Sequence, residues 1–302
     1  MEKRFLGKTG MEVSVLGFGG AETGYAGTEP ETVGRLLNTA LDAGLNVIDT
    51  AECYGNGEEQ ISKAVSHRRD DFFLFTKCGH AAGFPGEEDW DVAMLEKSID
   101  RSLRLLKTDH VDLLQLHSCD EHILRKGDVI AVLQRAQQAG KTRFIGCSGD
   151  SNAALYTVQC GAFDTLQTSV NIADQECIER TLPVALQAGM GVIAKRPLAN
   201  VAWRYGQQGP GGYHQEYWER LQKLDYPFLP KDGISTDEAV SIALRFTLAQ
   251  PAVAVAIVGT ENPDRWRSNA ALLEVGALSE EAQKAIRDRW HTVAGPDWVG
   301  QR

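Results

Sequence analysis

The feature that most constrains this sequence is an alternation that runs from one end to the other. Short apolar, β-branched runs recur between stretches of helical period, and parallel neighbouring strands need a crossover of that kind between them. Eight runs read as strands: 13–18, 46–49, 72–77, 111–117, 143–148, 165–170, 191–195 and 253–259. Amphipathic stretches lie between them at 30–43, 91–106, 126–139, 178–188, 236–249 and 263–273. Three of these end in Ala-Gly just before a strand (Ala43-Gly44, Ala139-Gly140, Ala188-Gly189), where a glycine closes a helix in the left-handed conformation. Eight rounds fit a closed parallel barrel better than an open sheet.

Two additions frame the eight units. Segments 3–6 and 12–15 around Gly7-Lys8-Thr9-Gly10 read as a small β-hairpin plugging the barrel bottom, and 279–293 reads as an extra C-terminal helix opened by Ser279. With no linker or low-complexity segment, 1–302 is expected to be one (β/α)8 TIM-barrel domain of α/β class. One connection, 198–235, is unusually long and rich in Gly and aromatics, which marks a functional loop.

Composition narrows the function. A formal charge of -10 disfavours nucleic-acid binding over the whole surface, since phosphate contacts need a basic face. No apolar run approaches the ~18 residues of a membrane span, and the first residues carry no secretory signal, so a cytoplasmic protein is expected. The six cysteines (Cys53, Cys78, Cys119, Cys147, Cys160, Cys177) form no CxxC pair and read as reduced thiols.

In such a barrel the reactive groups sit at the C-terminal ends of the strands. Asp49 closes the second strand, Tyr54 follows in its loop, Lys77 closes the third and His117 the fourth. Each alone has an ordinary reading: a helix cap, a half-buried aromatic, a snorkelling cation, a satisfied core histidine. Together they are coherent. A lysine ending an apolar strand needs a carboxylate, which Asp49 supplies from the next strand, and a cation beside the Tyr54 hydroxyl is expected to lower the phenol pKa towards working pH.

These residues also carry a resemblance. The run Asn46-Val47-Ile48-Asp49-Thr50-Ala51-Glu52-Cys53-Tyr54-Gly55-Asn56-Gly57-Glu58, then Thr76-Lys77 and Leu116-His117-Ser118, resembles the Asp, Tyr, Lys, His tetrad of the aldo-keto reductase family. The likeness continues through Gly146-Cys147-Ser148, Gln167, the segment 192–198 and Ile257-Val258-Gly259-Thr260 to Asn269. It implies hydride transfer from NADPH, with NADH as a possible substitute, to a small carbonyl substrate without a metal. In that scheme Tyr54 donates the proton, Lys77 and Asp49 tune it, and His117 orients the carbonyl. The cofactor-binding positions it implies are Gly20, Ala21, Asp49, Ser148, Gln167, Lys195, Arg196, Leu198, Gly259, Thr260, Arg265 and Asn269, with Asn171 a weaker candidate. Ser148 and Gln167 match groups that hold the carboxamide; Thr260, Arg265 and Asn269 match the segment around the adenosine phosphate and adenine.

Three positions depart from the family pattern. Gly149 stands where many members have Asn, Lys195 where an aromatic often stacks on the nicotinamide, and Gly259 where many place a phosphate-binding Lys. Arg196 or an aromatic of the long loop is an alternative stacking partner. Trp90, Trp203, Tyr205, Tyr213, Tyr217, Trp218 and Trp298 are candidates for pocket walls or for packing under that loop. Two rival readings remain at this stage. One is a metal-dependent hydrolase using His80, His117, Cys78, Cys119 and Cys147, for which the spacing is poor. The other is a cofactor-binding barrel that acts as a sensor or regulatory subunit without turnover.

Overall fold

The computed structural model describes residues 1–230 and 236–301; the last part of the 198–235 connection and Arg302 of the tail lie outside them. Eight parallel strands close into a barrel: β3 (Leu16–Gly19), β4 (Val47–Asp49), β5 (Phe73–Cys78), β6 (Val111–His117), β7 (Thr142–Ser148), β8 (Thr165–Ser169), β9 (Gly191–Lys195) and β10 (Val253–Val258), with β10 hydrogen-bonded back to β3. The preceding pair, β1 (Lys3–Phe5) and β2 (Glu12–Ser14), is the antiparallel hairpin. Between and after the strands run α2 (Pro30–Asp42), α4 (Val92–Leu106), α6 (Asp128–Gln138), α11 (Asp237–Leu248), α12 (Arg265–Leu273) and α13 (Glu280–Val293). Gly44, Gly140 and Gly189 all take positive φ, as helix closure demands. Among the described residues no helix is long and apolar enough to cross a membrane.

Side chains alternate across a strand, so the barrel sorts each strand into an inner and an outer set. Val47, Phe75, Leu113, Ile193, Val255 and Ile257 form an interior cluster, and the hairpin closes its floor with Leu6, Met11 and Val13. A second, larger cluster fills the layer between barrel and helices. The period of two then sets the polar end of the interior. Two residues beyond Val47, Phe75 and Ile193 come Asp49, Lys77 and Lys195; two beyond Leu113 comes Gln115, and two more His117.

Some boundaries differ from the pattern in the sequence. Val13 does not begin the first barrel strand. It pairs with Arg4 in the hairpin, because Asn46 Oδ1 takes the Ser14 N–H at 2.6 Å and ends the run there. The stretch 178–188 is two helices, α8 (Glu176–Arg180) and α9 (Leu182–Ala188), divided at Thr181 where Pro183 enters the first turn of the second. Short α1 (Ala21–Ala26), α3 (Gly57–Val65), α5 (Glu121–Leu124), α7 (Ser151–Gln159) and α10 (Gln215–Leu224) are additional elements.

Where the hairpin meets β9 there is no space for a side chain: a Cβ on Gly191 would lie 2.6 Å from the carbonyl carbon of Leu6 and 2.8 Å from the nitrogen of Gly7. Both are backbone, so neither yields cheaply. Gly191→Ala is expected to destabilise the fold by about 1–3 kcal/mol, the usual range for overpacking. The shift of the urea unfolding midpoint measures it, and an unchanged midpoint would show that the hairpin is not seated on the strand.

Candidate functional site

The polar ends of the inward-facing sets meet at the C-terminal mouth. Lys77 Nζ donates to Asp49 Oδ2 at 2.6 Å and to the carbonyl of Thr50 at 2.7 Å, with both side chains almost fully buried. The other Asp49 oxygen accepts from Gln115 Nε2 and Gln167 Nε2, each at 3.2 Å. The buried carboxylate is thus paired with one cation and capped by two amides, the arrangement a charge needs away from water.

Tyr54 is carried in by the β4–α3 loop. A Cβ on Gly24 would lie 2.2 Å from its carbonyl oxygen, so glycine there lets α1 pack directly against this turn. The Tyr54 hydroxyl lies 3.4 Å from His117 Nε2, and Lys77 Nζ lies over the tyrosine ring, 5.1 Å from its centre. Burial first, then the Lys77, His80, Lys195 and Arg196 charges, hold the His117 imidazolium well below its ordinary pKa. The ring is therefore neutral at physiological pH and has one N–H to give. On its other side, Nδ1 is 3.3 Å from Cys53 Sγ and 3.9 Å from Glu52 Oε2. Burial raises the Glu52 carboxyl to about 7 and the Cys53 thiol to about 12.

A cavity of about 580 Å³ runs outward from this point. Its walls take in Gly19, Gly20 and Ala21 on one side, Ser148, Gln167, Lys195 and Leu198 on another, and Gly259, Thr260, Arg265 and Asn269 at the far end. The far end fits a ligand that both donates and accepts: Asn269 is buried, yet among the described residues neither its Oδ1 nor its Nδ2 has a hydrogen-bond partner. At the near end Gly19 and Gly20 leave the wall bare of side chains. An elongated ligand with a hydrogen-bonding ring system at the Asn269 end and a reactive ring beside Tyr54 and His117 matches these walls.

The model of the Aldo/keto reductase family matches residues 15–290. This chain belongs to that family. Its fold is similar to a holo-form aldo-keto reductase of Bacillus halodurans, at 26% identity and TM-score 0.81 over 99% of both chains. In sequence it is similar to the L-galactose dehydrogenase of Arabidopsis thaliana, 29% identical over 94% of this chain and 92% of the relative. The 6-dehydroglucose reductase of Novosphingobium aromaticivorans is likewise 29% identical, over 90% of each chain. This aldo/keto reductase is an NAD(P)H-dependent oxidoreductase.

Several expectations about the reductase's site need revision. The Tyr54 phenol is not lowered towards working pH. Burial pushes it well above its ordinary value and the Asp49 carboxylate adds to the rise, because Lys77 sits over the ring, with its charge shared by Asp49. Asn171 is not among the cavity walls. Its amide donates to the carbonyl of Arg196 at 3.0 Å and its Oδ1 accepts from Ala173 N, so it braces backbone. Lys195 lines the cavity but forms an ion pair with Asp150 at 3.0 Å, with Ser148 Oγ at 3.5 Å. Asp150 escaped the sequence reading because it lies beyond a strand end and is held inward by partners distant in the chain, Thr168 Oγ1, the Ser169 N–H, Lys195 and Arg196.

Arg196 is also committed. It donates to Tyr213 OH, to Ser169 Oγ at 2.8 Å and to the carbonyl of Gln301 at 2.6 Å, tying the long loop and the C-terminal tail to the end of β9. Of the seven aromatics named as possible walls, Tyr213 lines the cavity. Trp203, Tyr217 and Trp298 are buried in the outer core, and Trp90 packs on Gly79 and His80. At the far end α12 begins at Arg265 with Asp264 as its cap, so Pro263 precedes the helix instead of filling its first turn. The Arg265 N–H bonds the carbonyl of Asn262, and Glu22 covers Gly259: a Cβ there would lie 2.9 Å from its carboxyl carbon.

Proposed function

We propose that this enzyme reduces an aldehyde or ketone with NADPH, Tyr54 giving the proton to the carbonyl oxygen. One observation carries the reading: a protonated phenol and a neutral imidazole stand 3.4 Å apart at the cavity's inner end, with a buried Lys-Asp pair behind them. A carbonyl oxygen seated in front of the pair, off the line that joins them, accepts from both, and as charge grows on it the Tyr54 O–H is the acid in reach. Bound in the cavity, the nicotinamide supplies the hydride for the carbonyl carbon. Lys77 steadies the phenolate that remains, and Asp49 keeps that lysine in place. In this reading Gln167 and Ser148 hold the carboxamide and Asn269 the adenine. We place this activity, within one barrel domain, in the cytoplasm on the strength of six free thiols.

The test is NADPH consumption over a panel of aldehydes and ketones that includes aldoses and oxidised sugars, since two relatives are named for such substrates. Turnover of at least one class is expected. Binding of NADPH without turnover of any would favour a regulatory, non-catalytic role.

Preference for NADPH over NADH rests on Arg265, which can contact a phosphate through a charge-assisted bidentate pair, with Thr260 beside it. Glu22 and Glu261 set carboxylates at the same end, and Arg204, another cation in the cavity wall, acts on Glu22. Arg265→Ala is expected to raise the Michaelis constant for NADPH severalfold and leave that for NADH unchanged, and equal effects on both would remove the assignment.

A further inference from the structure

Beyond the carbonyl site, the outer nitrogen of His117, turned away from Tyr54, meets two side chains, Cys53 and His80, that the reduction does not use. Cys53, His80 and His117 bring one thiol and two imidazoles together, with their ligating atoms all within 4.8 Å of one another. We propose that these three side chains form a site for one divalent cation of the zinc class, bound through Cys53 Sγ, His80 Nε2 and His117 Nδ1.

The one pair in direct contact has a separation that suits such an ion, and the whole set lies within 4.8 Å, so small side-chain adjustments close it. Tetrahedral zinc with Zn–S near 2.3 Å and Zn–N near 2.0–2.1 Å places its ligand atoms about 3.3–3.7 Å apart; the Cys53 Sγ to His117 Nδ1 distance is 3.3 Å. The donor set is a thiol with two imidazoles, which selects borderline and soft cations over the oxygen-seeking magnesium and calcium. The surrounding contacts point the ligands inward. His80 Nδ1 bonds Asp89 Oδ2 at 2.9 Å, which leaves Nε2 as its lone pair and reproduces the carboxylate-imidazole support that zinc-binding histidines use.

A second observation points the same way. Glu52 is buried, its Oε1 accepts the His80 N–H at 2.9 Å, and its Oε2 has no hydrogen-bond partner among the described residues, only His117 Nδ1 at ion-pair range, 3.9 Å. A buried carboxyl oxygen without a hydrogen bond, beside two imidazoles and a thiol, is the environment a cation relieves. His80 is one-third exposed, which gives an entry path. On binding, the Cys53 thiol releases its proton to solvent. With Nδ1 of His117 occupied, its ring proton must sit on Nε2, facing Tyr54.

Cobalt(II), which substitutes for zinc and absorbs light, is the probe. Titrated into the chelator-treated full chain, it is expected to bind one equivalent with a thiolate-to-cobalt charge-transfer band, and zinc should displace it. Cys53→Ser should lose the band while keeping its thermal melt; Asp89→Asn should weaken binding about 10- to 100-fold, as loss of such a supporting partner does. A band that survives in Cys53→Ser would assign the metal to another cysteine, and absence of stoichiometric uptake would end the proposal. If Cys53→Ser does not fold, alkylation of the wild-type chain decides: zinc should slow iodoacetamide labelling of Cys53, read by peptide mass, and an unchanged rate would count against the site.

Discussion

Tyr54→Phe is expected to lower carbonyl reduction by about 10²- to 10⁴-fold, the usual worth of a positioned general acid. The change removes one oxygen atom. The ring keeps its edge contact with His117, 5.4 Å between centres, and its place under the Lys77 ammonium. Cofactor affinity should therefore stay close to wild type, which fluorescence titration with NADPH would show. Because burial holds the phenol protonated through the physiological range, the wild-type donor carries its proton before the substrate arrives. Single-turnover kinetics isolates the chemical step from product release. A variant that keeps half the wild-type rate in that experiment would show that the proton comes from elsewhere, with neutral His117 the next group in reach.

How much of this site could be read in the sequence follows from the period of two. Once 73–77 is a strand in a barrel, Phe73 and Phe75 inward place Lys77 inward as well, and the same arithmetic brings Asp49 and His117 to one mouth. Residues on strand ends were therefore legible, and so were the helix stops that glycine enforces at Gly44, Gly140 and Gly189. Groups held by loops were not. Asp150, Tyr213 and Glu22 reach the site through contacts between segments far apart in the chain, and no local pattern encodes them. Electrostatics differs from the expectation for a related reason: a lysine and a tyrosine assigned to neighbouring strand ends say nothing of where the ammonium points. The Lys77 charge is turned to Asp49 and Thr50, and burial decides the phenol. The backbone from Arg196 to Val201 was equally hidden, since Arg196, Ala199, Asn200 and Val201 all take positive φ, which their residue types do not announce.

Lys77→Met should fail in two separable ways, and the separation tests what the Lys77–Asp49 pair does. Deleting the ammonium leaves the Asp49 carboxylate buried with only two amides for partners, and breaking a buried pair from one side costs about 3–5 kcal/mol. A lower urea midpoint is therefore expected together with a loss of turnover on the scale of Tyr54→Phe. Stability alone does not reveal the lysine's role. Adding Asp49→Asn removes the orphaned charge, and the near-isosteric amide retains an acceptor for Gln115 and Gln167. The double variant should regain much of the lost stability. If Lys77 acts by stabilising the Tyr54 phenolate as it forms, turnover stays low in this refolded protein, because no cation remains over the ring. If turnover returns with stability, the lysine is structural, and the proton transfer at Tyr54 proceeds without it.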